Sequence, residues 1–181
     1  EQRKRPFLSR KINATAITKE MLNNSAKTDA EENGVTNANK ASLAFCWEGG
    51  EDMKRILLMG DAVSSQVVTE LNDIDDDRIW FEAVKVSHHG SKHNTSIELN
   101  AKVDSAHYFF TGGKENEGPD IETVAKIAMK PLAEGIDQRV IHYNHEKGIN
   151  LWKELNKEKA IQLLNNYHTL LNTDNTYEFE Y

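Results

Sequence analysis

The feature that most restricts how this chain can fold is a pair of apolar runs that each stop at a polar turn. The first, Arg55-Ile56-Leu57-Leu58-Met59, ends in Gly60-Asp61; the second, Phe81-Glu82-Ala83-Val84-Lys85-Val86, ends in Ser87-His88-His89-Gly90. Short runs of this kind, bounded by turn residues, read as strands, and the first is apolar enough to predict burial on both faces. Between them Val63, Val67, Val68 and Leu71 recur at helical spacing, so the order is strand, helix, strand. The alternation continues with a helix over 96–102, a strand over 107–111, a helix after Pro119 through Val124 and Ile127, and a strand over 139–143. Residues 155–171 then read as an amphipathic helix with Ile161, Leu164, Tyr167 and Leu171 on one face, and 176–181 as a half-exposed strand. A further strand over 42–47 faces the Arg55 run across a loop containing Gly49-Gly50, which is a hairpin pattern. An α/β fold follows, with a mixed sheet and flanking helices.

Residues 1–38 are polar and predict a loop-rich N-terminal segment, with a short helix over 18–27 capped by Thr18 as the alternative. Residues 39–181 form the domain proper. At 181 residues one domain is expected, and no apolar stretch approaches the roughly 20 residues that span a bilayer. The single cysteine, Cys46, cannot form an internal disulfide; it is expected to pack in the core, in a reducing, cytoplasmic setting. A net charge of -7 disfavours a broad grip on phosphate backbones, though not a nucleotide or nucleic acid held at a metal site.

Two segments carry chemistry. Asp61 follows a glycine at a strand end, where a carboxylate sits in a loop and can meet a divalent ion; the plain alternative is a turn or helix cap. His88, His89 and His93 fall within six residues of a chain holding only 7 histidines. Imidazole is the commonest neutral metal ligand, and adjacent side chains on an extended backbone point apart. One of His88 and His89 is therefore expected to bind metal while the other supports it or touches substrate; the plain alternative is a pair of solvated loop histidines. His107 reads as a satisfied core or edge residue and His168 as surface, and Trp47, Trp80 and Trp152 as packing groups. The acidic run 73–77 reads as a solvated connection.

Taken together, Asn39-Lys40-Ala41-Ser42-Leu43, the run into Gly60-Asp61-Ala62, and Val84-Lys85-Val86-Ser87-His88-His89-Gly90-Ser91-Lys92 resemble the metallo-β-lactamase superfamily, in its ComEC-like branch. The likeness spans roughly 39–137 and implies the C-terminal half of an αββα sandwich. It implies metal-dependent hydrolysis of a phosphodiester or nucleic-acid-type substrate by two divalent ions, zinc first, manganese or iron otherwise. Carried over by position, Asp61 becomes the bridging carboxylate and a catalytic group. His89 is favoured as metal ligand and His88 as the catalytic neighbour of the substrate, with the reverse order open. Ser91, Lys92, His93 and Asn94 become candidate substrate contacts. Asn39 falls where many relatives place a histidine, and Gly118 before Pro119 stands where histidine is usual. The family's His-x-His-x-Asp-His motif is absent from this sequence. The expectation is a fragment, inactive alone, whose missing half comes from the same polypeptide or another chain. The rival expectation is a degenerate, non-catalytic module that binds a partner through its uncovered sheet face, self-association into a homo-oligomer included.

Overall fold

In the computed structural model, which describes residues 19–74, 77–112, 119–144, 161–162 and 164–172, the two apolar runs become adjacent parallel strands. The strands in chain order are β1 (Phe45–Gly49), β2 (Lys54–Leu58), β3 (Ile79–Trp80), β4 (Ala83–Lys85), β5 (Val103–Asp104), β6 (His107–Phe110), β7 (Arg139–Tyr143) and β8 (Thr169–Asn172). The helices are α1 (Lys19–Ala26), α2 (Asn37–Lys40), α3 (Ser64–Leu71), α4 (Ile97–Lys102) and α5 (Ile121–Met129). The main sheet has the order β1-β2-β4-β6-β7-β8, with β1 and β2 an antiparallel hairpin and every later pairing parallel. A small parallel ladder of β3 and β5 stands apart. The fold is thus α/β with a mixed sheet and flanking helices.

From β2 onward each parallel step moves the same way across the sheet. Crossovers of this kind are right-handed, so successive steps in one direction place their helices on one face. On that face Leu57, Val84, Tyr108 and Ile141 form the core with Val67, Val68, Leu71, Leu99, Val124 and Ile127. Among the described residues no helix lies on the opposite face, which is exposed chiefly at its β1–β2 end while His142 farther along is 3% exposed. There Phe45 (58% exposed) lies opposite Leu58 (43%), Trp47 (48%) lies opposite Ile56, and Leu170 is 40% exposed. Lys85, Phe109, His142 and Asn172 continue the row that starts at Leu58.

Several expectations are corrected. The β2 strand is buried on its helix side only. Cys46 is exposed instead of packed in the core, because β1 overhangs α3 and leaves a groove of about 580 Å³ between them. Trp47, 48% exposed, stands on the face opposite the helices, whereas Trp80 is half-buried in β3. The strand expected over 81–86 contracts to Ala83–Lys85, while Ile79–Trp80 pairs with β5 instead. The helix expected to reach residue 171 stops earlier: His168 takes a left-handed backbone (φ 53) and Thr169–Asn172 becomes the edge strand beside β7. Thr18, Trp152 and the strand over 176–181 lie outside the described residues.

The segment expected to be loop-rich contains α1, a 3-10 turn at Glu32–Gly34 and α2. Its hold on the domain is specific. Leu22 is 1% exposed, beside α5. Asp29 accepts from the Ile97 amide at 2.8 Å and pairs at 3.0 Å with Lys126, whose side chain is 1% exposed. Glu32 accepts from both the amide and the hydroxyl of Ser65 at the start of α3. Among the described residues no helix is long and apolar enough to cross a membrane.

Candidate functional site

Polar groups concentrate where parallel strands end, since the chain must turn there and cannot bury its unpaired amides. At the end of β2, Gly60 turns with φ +50 and presents Asp61; at the end of β4 a 3-10 turn, Ser87–Gly90, presents His88 and His89. Both histidines hold left-handed backbone (φ 43 and φ 55), a conformation that costs non-glycine residues about 1 kcal/mol or more each. The two loops are laced together. The His88 amide donates to the Gly60 carbonyl at 3.0 Å, the Ser87 hydroxyl to the Ala62 carbonyl at 2.6 Å, and the Lys85 ammonium to the Gly60 carbonyl at 2.8 Å. Ser42 adds a third strand end by accepting from the Asp61 amide at 3.0 Å.

The backbone of Asp61 is thus fixed, and among the described residues its carboxylate makes no hydrogen bond. His89 points its Nδ1 at the Thr111 carbonyl beyond β6. A carbonyl only accepts, so Nδ1 carries the proton and Nε2 keeps an open lone pair. His88 differs: its Nδ1 lies 3.1 Å from the Asn94 Oδ1, and the Asn39 amide nitrogen lies 3.3 Å from Nε2 and 3.4 Å from Nδ1. The two imidazoles, 5.8 Å apart between centroids, therefore do not stand in equivalent positions.

The four residues considered as substrate contacts are occupied. The Ser91 hydroxyl caps the next turn by accepting from the His93 amide at 3.3 Å. Lys92 pairs with Glu122 at 2.9 Å, and its amide donates to Asp120. His93 packs on the N-terminal segment, with Nδ1 2.8 Å from the Glu31 carbonyl. Asn94 is fully buried and cannot face a ligand as placed.

Burial lowers the Lys85 pKa, against the opposing pull of Asp61. On the sheet face opposite the helices, His107 Nδ1 and the buried His142 Nε2 lie 2.9 Å apart, and Phe109 stacks on His142 at 4.3 Å. Burial first, and then neighbouring His107, drive the His142 pKa down to about 4.

No family model, curated protein or solved structure matches this chain. Among the described residues no group of three or more His, Cys, Asp or Glu side chains is arranged to hold a metal ion. Asp61 and His89 by themselves do not fit a two-metal centre.

The structural partners Asn39, Ser42 and Thr111 carried little signal as ligand supports, because each reaches the site from a different part of the fold: α2, the approach to β1 and the end of β6. Lys85 did carry one: a lone cation in an otherwise apolar strand must find an acceptor.

Proposed function

We propose that this chain supplies half of a hydrolase site of the metallo-β-lactamase kind, completed by ligands from outside the described residues. The proposed substrate class is a phosphodiester or nucleic acid. The carrying observation is the pairing of an uncommitted Asp61 carboxylate with an open His89 Nε2, on loops joined by the bond from the His88 amide to the Gly60 carbonyl. In this reading Asp61 and His89 face metal, zinc first, and His88 stands beside the substrate. A divalent ion held there would supply an activated water. Because the chain's own residues do not complete such a centre, no step of the reaction is assigned to them beyond presenting those two groups.

The exposed apolar residues opposite the helices support the companion part of the reading. A sheet face bearing Phe45, Leu58 and Leu170, exposed among the described residues, is stable under a second layer, which in this superfamily is the other half of the sandwich. The same face favours one rival, a non-catalytic module that docks a partner or another copy there.

The test is co-expression with a companion that carries the His-x-His-x-Asp-His motif, followed by assay on bis-p-nitrophenyl phosphate with zinc. Hydrolysis lost in Asp61→Ala and in His89→Ala, with the complex intact, supports the site. Hydrolysis that survives either substitution rejects the ligand assignment. A complex that assembles and hydrolyses nothing supports the docking module instead.

A further inference from the structure

Asn94 is 0% exposed, and three side-chain contacts fix its orientation. Its amide nitrogen donates to the Asp61 carbonyl at 2.9 Å and to the Ala62 carbonyl at 3.2 Å, and its Oδ1 lies 3.1 Å from His88 Nδ1. The amide orientation is therefore determined: turned over, Oδ1 would face two carbonyl oxygens with no proton between them. With Oδ1 toward the imidazole, Nδ1 must carry a proton, which in the neutral ring is the Nδ1–H tautomer. The Asn39 amide nitrogen lies 3.3 Å from Nε2 and 3.4 Å from Nδ1, so the contact that selects the tautomer is the one to Asn94.

We propose that Asn94 is the positioning residue of this site, fixing His88 as the Nδ1–H tautomer while tying the Gly60-Asp61 loop to the histidine loop. The proposal rests on the reading of these loops as a functional site. It gives His88 a defined chemistry: the lone pair of the neutral ring sits on Nε2, and Nδ1–H is committed to the protein. Water alone favours the other tautomer of a free imidazole, so the assignment depends on the buried acceptor.

The test reads the metal-free chain, so it stands or falls apart from whether the chain is part of a hydrolase. Two-bond ¹H–¹⁵N spectra, recorded well above the ordinary imidazole pKa, identify the protonated nitrogen of His88. The expected result is Nδ1–H in the wild type and in Asn39→Ala, and a reversed majority, Nε2–H, in Asn94→Ala. Asn94→Asp, which keeps an acceptor toward Nδ1, restores Nδ1–H. Hydrogen exchange at the His88 amide is expected to speed up by about tenfold or more in Asn94→Ala, because the loops lose their shared anchor. Nε2–H in the wild type overturns the proposal, as does Nδ1–H retained in folded Asn94→Ala. If Asn94→Ala does not fold, the wild type and Asn94→Asp decide: Nε2–H in either one refutes it and Nδ1–H in both upholds it.

Discussion

Replacing Gly60 by alanine tests whether the turn that presents Asp61 is as tightly built as its geometry indicates. Gly60 has φ +50, and a Cβ added there would lie 2.7 Å from the Leu43 carbonyl oxygen and 2.8 Å from Ser42 Oγ. Two costs follow. Left-handed backbone costs an alanine about 1–2 kcal/mol. Overlap with a backbone carbonyl, which cannot swing aside as a side-chain tip can, adds about 1–3 kcal/mol. Moving Ser42 to relieve the second contact also breaks its bond to the Asp61 amide. A loss of about 3 kcal/mol corresponds to roughly 6–12 °C in Tm for a domain of this size. Gly50→Ala is the control: φ is +78 and no atom lies within 4 Å of its added Cβ, so it incurs the backbone cost alone. Urea denaturation of both variants separates the terms. If Gly60→Ala and Gly50→Ala agree within about 0.5 kcal/mol, the close approach of Leu43 and Ser42 to the turn is not what holds it.

Further outcomes follow from the buried charges and the bare face. Asp104, 1% exposed, meets Arg78, Arg139 (3.1 Å) and Lys130 (3.6 Å), so Asp104→Ala strands the buried Arg139 guanidinium and should cost about 3–5 kcal/mol by denaturant titration. Asp29→Ala leaves Lys126 with the Thr95 carbonyl and uncaps the Ile97 amide, and is expected to cost about 1–3 kcal/mol and to speed proteolysis before α2. His142 has its pKa lowered from 6.5 to about 4, so the folded state binds fewer protons than the unfolded state between those values. Stability therefore falls as pH drops through that window, and His142→Gln should flatten the dependence of Tm on pH there. Leu58→Asp, on the bare face, should change stability by less than about 0.5 kcal/mol while reducing self-association in sedimentation velocity; a large loss of stability would show the face to be packed already.

The strand-helix alternation and both site loops were legible in the sequence because apolar periodicity and turn chemistry are local. The helix over 96–102, seen as Ile97–Lys102, and the 139–143 strand needed no tertiary information. What failed was one-sided burial. Leu57 and Leu58 look alike in sequence, yet one faces helices and the other, among the described residues, does not, and that depends on which way the crossovers run. Trp47 was misplaced for the same reason; Cys46, on the helix side beside Leu57, is exposed because β1 overhangs α3. In the N-terminal segment the alternative of a helix over 18–27 matches α1, but its hold on the domain was not legible, because it joins the buried Leu22 to single polar contacts, Asp29 to Lys126 and Glu32 to Ser65, each spanning dozens of residues. At the site, Asp61 and the histidine pair stood out by residue type. The duty of Asn94 did not, since a buried amide and an exposed one read identically until the fold places their partners.

The strand order β1-β2-β4-β6-β7-β8 is also the order of synthesis. No strand has to be inserted between two that came before it, so the sheet can grow by accretion at one edge, each helix sealing the step just taken. Only the far face gains nothing from this progression. Whatever covers it can be added after the last strand is laid down, which makes the layer boundary a natural seam along which such a domain can be divided and rejoined.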